Sequence, residues 1–202
     1  PYQSQIVPLA AILAELDDRW EFDAVRTKLA QWYWCGVFGE LYGGAIETRF
    51  AKDLVDVLAW IAGGAEPSTV KDAAFRAERL DTMTSRLSAA YKGVHTLLMQ
   101  KGARDFRSGQ PFNQASYFEE SVDIHHIFPR AWCDKAMIAR ARYDTIINKT
   151  PLSYKTNRAI GGDAPSQYLS NLSAHGGVSD AAIDDHLRSH LIDPQTLRNN
   201  DF

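Results

Sequence analysis

The chain has 202 residues, 45% of them hydrophobic, and a formal net charge of -3. That length and composition fit one large globular domain or two small ones. No apolar run approaches the ~18 residues of a membrane span, the acidic balance argues against a protein that coats DNA indiscriminately, and two cysteines are too few for a zinc cluster. Cys35 and Cys133 read as reduced thiols of a cytoplasmic protein. No signal peptide is visible, and the openings at Pro1-Tyr2-Gln3 and Arg198–Phe202 read as the edges of a fragment.

The first hundred residues read as helices without repeats. Residues 5–19 place Leu9, Ile12, Leu13 and Leu16 at helical spacing, with Pro8 suited to a first turn. A second helix runs from about Asp23 to Tyr42, with Val25, Leu29, Trp32 and Tyr33 on an aromatic face, and stops at Gly43-Gly44. Its tryptophans, Trp32 and Trp34, read as core packing rather than a platform for bases. Glu47 to Ala62 is a third helix and Val70 to Arg79 a fourth. A fifth runs from near Thr84 to Lys101, with Leu87, Tyr91, Val94, Leu97 and Leu98 facing inward and His95 as a packing residue.

From Gly102 to Pro111 the sequence becomes rich in turn formers. We place a boundary there, with a helical part over 1–110 and a site-bearing part over 111–202. Ser121 to Phe128 alternates like a strand and ends at Pro129. Ala131 to about Arg142 suits a helix, and Thr145 to Leu152 a second short strand and turn. Ser153 or Thr156 can cap a short helix that carries Asn157 and Arg158 and ends at Gly161-Gly162. Three more short helices follow, at Pro165–Ser173, Asp180–Leu191 and Pro194–Asn199. His186 and His190 sit four apart, a spacing that can bind metal, but no third ligand is evident, and they read as a solvated helix face.

Charge is not spread evenly. From His125 to Ile160 there are seven Lys and Arg against two Asp, a net of +5, whereas residues 161–202 carry -4. The basic stretch coincides with two histidines, His125 and His126, and two asparagines, Asn148 and Asn157. Phosphate binding needs a local positive field. An imidazole can take a proton from water near neutral pH, and a divalent cation can neutralise phosphate charge and steady a departing oxygen. A regular strand points His125 and His126 to opposite faces, so both serve one site only if the strand twists or ends there. Alternation puts Asp123 on the side of His125, as a second candidate ligand or a group that orients one.

Asp123-Ile-His-His-Ile-Phe-Pro129, then Asn148-Lys-Thr-Pro-Leu, then Lys155-Thr-Asn-Arg158, resembles the His-Asn-His (HNH, ββα-metal) endonucleases. The resemblance implies His126 as general base, Asn148 as the brace of the loop that holds it, and His125 with Asn157, and Asp123 beside them, as ligands of Mg²⁺ or Mn²⁺. Histidine at 125, where many relatives carry aspartate, also suits transition metals. Lys149, Lys155, Arg158 and, more weakly, Arg130 are the candidates for DNA phosphates.

Further segments extend the likeness: Trp32-Tyr-Trp34, Leu41-Tyr42, Glu47-Thr48, Asp53-Leu54, Gly102-Ala103-Arg-Asp105 and Pro165-Ser-Gln-Tyr168-Leu. They resemble the C-terminal nuclease domains of GmrSD-type restriction proteins, SspE-like ones among them. That resemblance implies a DNA-nicking domain of an anti-phage, modification-dependent restriction system, leaving 5′-phosphate and 3′-hydroxyl ends. It also implies a preceding ParB-like, nucleotide-hydrolysing domain, while the lack of a long apolar run argues for no membrane partner. The expected fold is mainly α with a small embedded ββα-metal motif. Two other readings are a degenerate nuclease serving as a DNA- or partner-binding module, and a helical scaffold with aromatic docking residues.

Overall fold

The computed structural model describes residues 3–44, 46–112 and 122–202. Ser121, the expected first residue of the strand, lies outside them. The fold is mainly helical with one small antiparallel sheet. It divides into two compact units, one of residues 1–76 and 85–93, the other of 77–84 and 94–202. The turn-rich stretch from Gly102 to Pro111 runs within the second unit rather than between the two.

The first unit holds α1 (Gln3–Leu16), α2 (Asp23–Gly39), α3 (Ile46–Ile61) and the single turn α4 (Ser68–Lys71). Ile12, Leu16, Leu29, Trp32, Tyr42, Val57 and Trp60 form its core. Trp32 is a core residue, as its spacing predicts. Its indole N–H donates to buried Asp53 at 3.0 Å, as do the Tyr42 hydroxyl and, at 2.8 Å, the Thr69 hydroxyl. A buried carboxylate needs such donors, because leaving it bare would cost several kcal/mol even after the surroundings relax.

Several helix ends differ from expectation. α1 begins earlier, so Pro8 lies inside it. α2 ends at Gly39, because Glu40 turns into the left-handed region (φ 52°) and Leu41 N–H donates back to Gly36 O at 3.1 Å. The expected fourth helix is one turn at Ser68–Lys71 followed by a 3₁₀ turn at Ala77–Asp81. α5 (Ala89–Gln100) starts five residues late. Leu87, expected inside, is 85% exposed, and Leu97 is also exposed.

In the second unit, β1 (Asp123–His126) pairs antiparallel with β2 (Lys149–Leu152). Between them lie α6 (Arg130–Lys135) and α7 (Arg140–Tyr143). The single helix expected there is broken at Met137 (φ 56°), where Ile138 N–H closes on Cys133 O at 2.9 Å and Ile138 packs against the core. That is a Schellman-type ending with its apolar contact. After β2 come α8 (Tyr154–Ile160), α9 (Pro165–Gly176), α10 (Asp180–Ser189) and α11 (Pro194–Arg198). Ser153 caps α8 by accepting from Thr156 N–H at 3.2 Å, and Gly161 ends it. The core gathers Phe106, Ile127, Phe128, Leu152, Ile160, Tyr168, Leu172, Ile183 and Leu187.

His186 and His190 are not a solvated face. Both are buried. His186 Nδ1–H donates to Phe106 O at 3.0 Å, and His190 Nε2–H donates to Arg104 O at 2.7 Å. The other nitrogen of His190 accepts from the Thr150 hydroxyl. Helical spacing alone does not tell which face a loop will cover, and here the 104–106 segment covers this one.

Burial pushes His190 down to about 4, against the opposing pull of the Arg104 carbonyl. An unfolded imidazole takes its proton near ~6.5. Between those two values the unfolded chain binds a proton that the folded one does not. The stabilisation by neutral His190 is therefore complete above ~6.5 and is lost as pH falls toward 4. The stability margin of the natural protein over His190→Gln, read from urea melts, should narrow by roughly 2–3 kcal/mol between pH 7 and pH 4.5. A margin that does not change with pH would contradict this.

Candidate functional site

The site is built on the β1–β2 pair and the loop that leaves it. His125 lies opposite Thr150 and His126 opposite Lys149. Alternation then places His126 and Lys149 on one face, and Asp123, His125, Thr150 and Leu152 on the other. His126 is the last strand residue, and the chain bends at Ile127 and Phe128 before Pro129 opens α6.

That bend is held by one side chain from far along the sequence. Phe128 N–H donates to Asn148 Oδ1 at 2.8 Å, and Asn148 Nδ2 donates to Phe128 O and to Tyr143 O, each at 3.0 Å. Ile127 N–H donates to the main-chain oxygen of Asn148 at 2.9 Å, and the Tyr168 hydroxyl donates to Ile127 O at 3.0 Å. The main-chain donors and acceptors of Ile127 and Phe128 are thus all engaged, as buried backbone requires. His126, one residue upstream, is positioned by them.

His126 Nε2 lies 3.3 Å from Asp144 Oδ1, and its ring meets Tyr143 edge-on with centroids 6.0 Å apart. Lys149 Nζ sits 2.7 Å from the same carboxylate oxygen and donates to the main-chain oxygen of Asp144, also at 2.7 Å. The hydrogen bond from Lys149 holds the Asp144 carboxyl below the usual carboxylate range, against partial burial and with help from His126. The Lys149 side chain is only 3% exposed. Lys149 is therefore committed to Asp144 rather than presented to a phosphate, a correction to the sequence reading. Its ammonium could not be buried without that counter-charge.

On the other face, Asp123 Oδ2 lies 4.0 Å from His125 Nε2. Two donors at that spacing can share one cation, since each bond to a first-row metal or Mg²⁺ spans ~2.0–2.2 Å. Among the described residues no three of His, Cys, Asp and Glu converge as a metal-binding group. A third donor would have to be of another type, such as the Asn157 amide on α8. α8 follows β2 directly, and its Ile160 joins the same apolar cluster as Leu152 of the His125 face.

Asp105 fixes the start of α8. It accepts from Ser153 N–H at 3.0 Å and from the Thr156 hydroxyl at 2.6 Å. Burial alone would raise its pKa, but the hydrogen bonds from Thr156, Ser108 and Ser153 outweigh that and hold it below the usual range. Lys155 and Arg158 are exposed on α8, with the Arg158 guanidinium 5.6 Å from the Tyr154 ring. Arg130 is exposed and faces Asp134 at 3.6 Å.

Sequence reasoning did not find Asp144 as the neighbour of His126, nor Asp105 as the anchor of α8. Asp105-x-x-Ser108 is a legible turn, with Ser108 N–H donating to Asp105 at 3.0 Å. Its second oxygen reaches 48 residues on, which no local pattern announces.

No family profile and no solved structure matches this chain. The chain is 32% identical over 189 residues to Uncharacterized protein MJ0686 of Methanocaldococcus jannaschii, covering 86% of this chain and 32% of that protein. It thus spans about a third of the length of the curated relative it matches.

Replacing Asn148 by alanine strands the buried N–H and C=O of Phe128 and the Tyr143 carbonyl. Stability should fall by about 2–4 kcal/mol in urea unfolding, and exchange of the Phe128 amide should quicken well before that of α10 amides. Unaltered exchange at Phe128 would show that Asn148 does not hold the bend.

Proposed function

We propose that this chain is a metal-dependent DNA endonuclease domain of the HNH (ββα-metal) kind, nicking DNA within an anti-phage, modification-dependent restriction system. The observation that carries the reading is the grip of Asn148 on the bend after His126. A general base must be held to within a fraction of an ångström of its water, and loop backbone does not hold itself. An asparagine spent on both polar groups of Phe128, two residues after a half-exposed histidine, is what such a site requires. The order strand, antiparallel strand, helix, with Asn157 on the helix, supports the same reading.

In this mechanism His126 takes a proton from water as it attacks phosphorus. His125, Asp123 and Asn157 are the residues that would hold a divalent cation, Mg²⁺ or Mn²⁺ by their oxygen donors, with imidazole also admitting a transition metal. When bound, such a cation supplies charge neutralisation on the phosphate and at the departing oxygen. Lys155 and Arg158, exposed on α8, meet flanking phosphates, and Arg130 does so at greater cost because it must leave Asp134. A ParB-like, nucleotide-hydrolysing domain would precede this one and report on DNA modification. The relative from Methanocaldococcus jannaschii, of which this chain matches 32%, has room for a further domain.

Supercoiled plasmid with Mg²⁺ or Mn²⁺ should be converted to open circles, and EDTA should stop it. His126→Ala should slow nicking by about 100-fold or more, with DNA affinity in a gel-shift assay changed by no more than about twofold. Nicking by His126→Ala at the natural rate would remove His126 from the role of base. Nicking that persists in EDTA would remove the metal.

A further inference from the structure

We propose that Tyr154 stacks on an unpaired base of the DNA strand, so that α8 takes single-stranded or locally opened DNA in preference to intact duplex. This rests on reading the chain as a DNA nuclease. It adds the form of the substrate and a residue that selects it.

The argument starts from exposure. Tyr154 opens α8 and is 54% exposed, whereas Tyr143 and Tyr168 of the same unit are buried. An aromatic ring left in water forgoes the burial that usually stabilises it. The ring is nevertheless held. Arg158 Nη1–H donates to the Tyr154 hydroxyl at 3.4 Å, and the Arg158 guanidinium lies 5.6 Å from the ring centroid. The turn beneath it is fixed by Asp105, which accepts from Ser153 N–H and from the Thr156 hydroxyl. The ring thus stands on an anchored turn, with its hydroxyl tied one turn further on. A side chain already restrained in this way loses little freedom when a ligand packs on it.

Its neighbours say what that ligand is. Asn157 and Arg158 follow Tyr154 by three and four residues, so the three share one face of α8. Lys155 and Arg158 are exposed, and Asn157 is half exposed. The helix therefore presents an aromatic plane, two cations and the amide that the nuclease reading gives to the metal. Asn157 lies only about 4.5 Å along the axis from Tyr154. A phosphate held near Asn157 leaves the base of an adjoining nucleotide within reach of the ring. Cations alone suffice for phosphates. An aromatic plane adds to them where a base shows its face, and Arg beside the ring strengthens such a platform. In a duplex the faces of each base are covered by its neighbours. In a single strand, or for a nucleotide turned out of the stack, a face is open. Stacking is tolerant of sequence, so this contact selects the form of the strand and not its bases.

The test uses a single-stranded DNA oligonucleotide carrying one 5-iodouracil, which on irradiation crosslinks to an aromatic side chain stacked on it. The same oligonucleotide annealed to its complement is the comparison. No divalent cation is added, so nothing is cut. The natural protein should bind the single strand about tenfold more tightly than the duplex in fluorescence anisotropy, and mass spectrometry should place the crosslink at Tyr154. Tyr154→Leu should lose that crosslink and bind the single strand about tenfold more weakly, with duplex affinity within about twofold. Tyr154→Phe should keep both crosslink and affinity. Because the side chain is exposed, the Leu variant should melt within about 2 °C of the natural protein, which separates loss of the ring from loss of the fold. Crosslinks that fall only elsewhere, equal affinity for single strand and duplex, or undiminished single-strand binding by Tyr154→Leu would each overturn the proposal. Plasmid nicking is measured in parallel. Nicking without the Tyr154 crosslink sinks the stacking proposal alone, and the crosslink without nicking sinks the nuclease reading while base stacking stands.

Discussion

The second unit depends on a neutral amide doing the work of a loop's missing secondary structure. β1 ends at His126, and the chain must turn sharply into α6 while remaining buried. Ile127 and Phe128 are both core residues, so their backbone cannot turn to water. Asn148 offers one acceptor and two donors in a rigid plane, which matches one N–H and two carbonyls. No charged side chain could take that place without a counter-ion. The same amide ties Tyr143 to Phe128, so α7, the bend and β2 are set by one residue.

Electrostatic roles follow from burial. The chain has six histidines, and the fold treats them differently. His186 and His190 are buried posts under the 104–106 segment, and His190 is kept neutral by its surroundings. His125 and His126 stay half exposed, each beside a carboxylate. A buried ring that its surroundings keep neutral is a poor proton acceptor and a good strut, and His190 is such a ring. The structure therefore separates buried histidines that brace the fold from half-exposed ones beside carboxylates, though all are the same residue type.

Elements set by local signals were legible in the sequence. Ser153 and Gly161 bound α8 as capping rules predict, and α3 follows its apolar spacing to within a residue. Trp32 was readable as core because it recurs with Leu29 on one face. What was not legible depended on distant partners. Glu40 and Met137 adopt left-handed backbone without being glycine, at a cost of roughly 1–2 kcal/mol each that packing must offset. Leu87 has an apolar side chain but stays exposed. Asp144 was not singled out at all, and His186 looked like an ordinary exposed helix residue. Their partners lie 18 and 80 residues away, beyond the reach of any window.

The basic stretch from His125 to Ile160 makes the same point about charge. Its net of +5 suggested a broad phosphate-binding face, yet the fold spends several of those cations internally. Lys149 and Arg140 converge on Asp144, and Arg130 faces Asp134. Arg142 lies over the Phe202 ring at 5.3 Å. The positive charge that remains outward is Lys135 at the end of α6 and the pair on α8, where Lys155 and Arg158 flank Asn157 and Tyr154 stands exposed beside them. A helix that carries both a candidate metal ligand and outward cations can bring a phosphate to the cation as a single rigid piece. Asp105 keeps that piece in register with the sheet by holding its first turn. The anionic partner, in our reading, is therefore met at α8 and not along the whole basic stretch, which lets a chain of net charge -3 bind DNA at one place without being drawn to it everywhere.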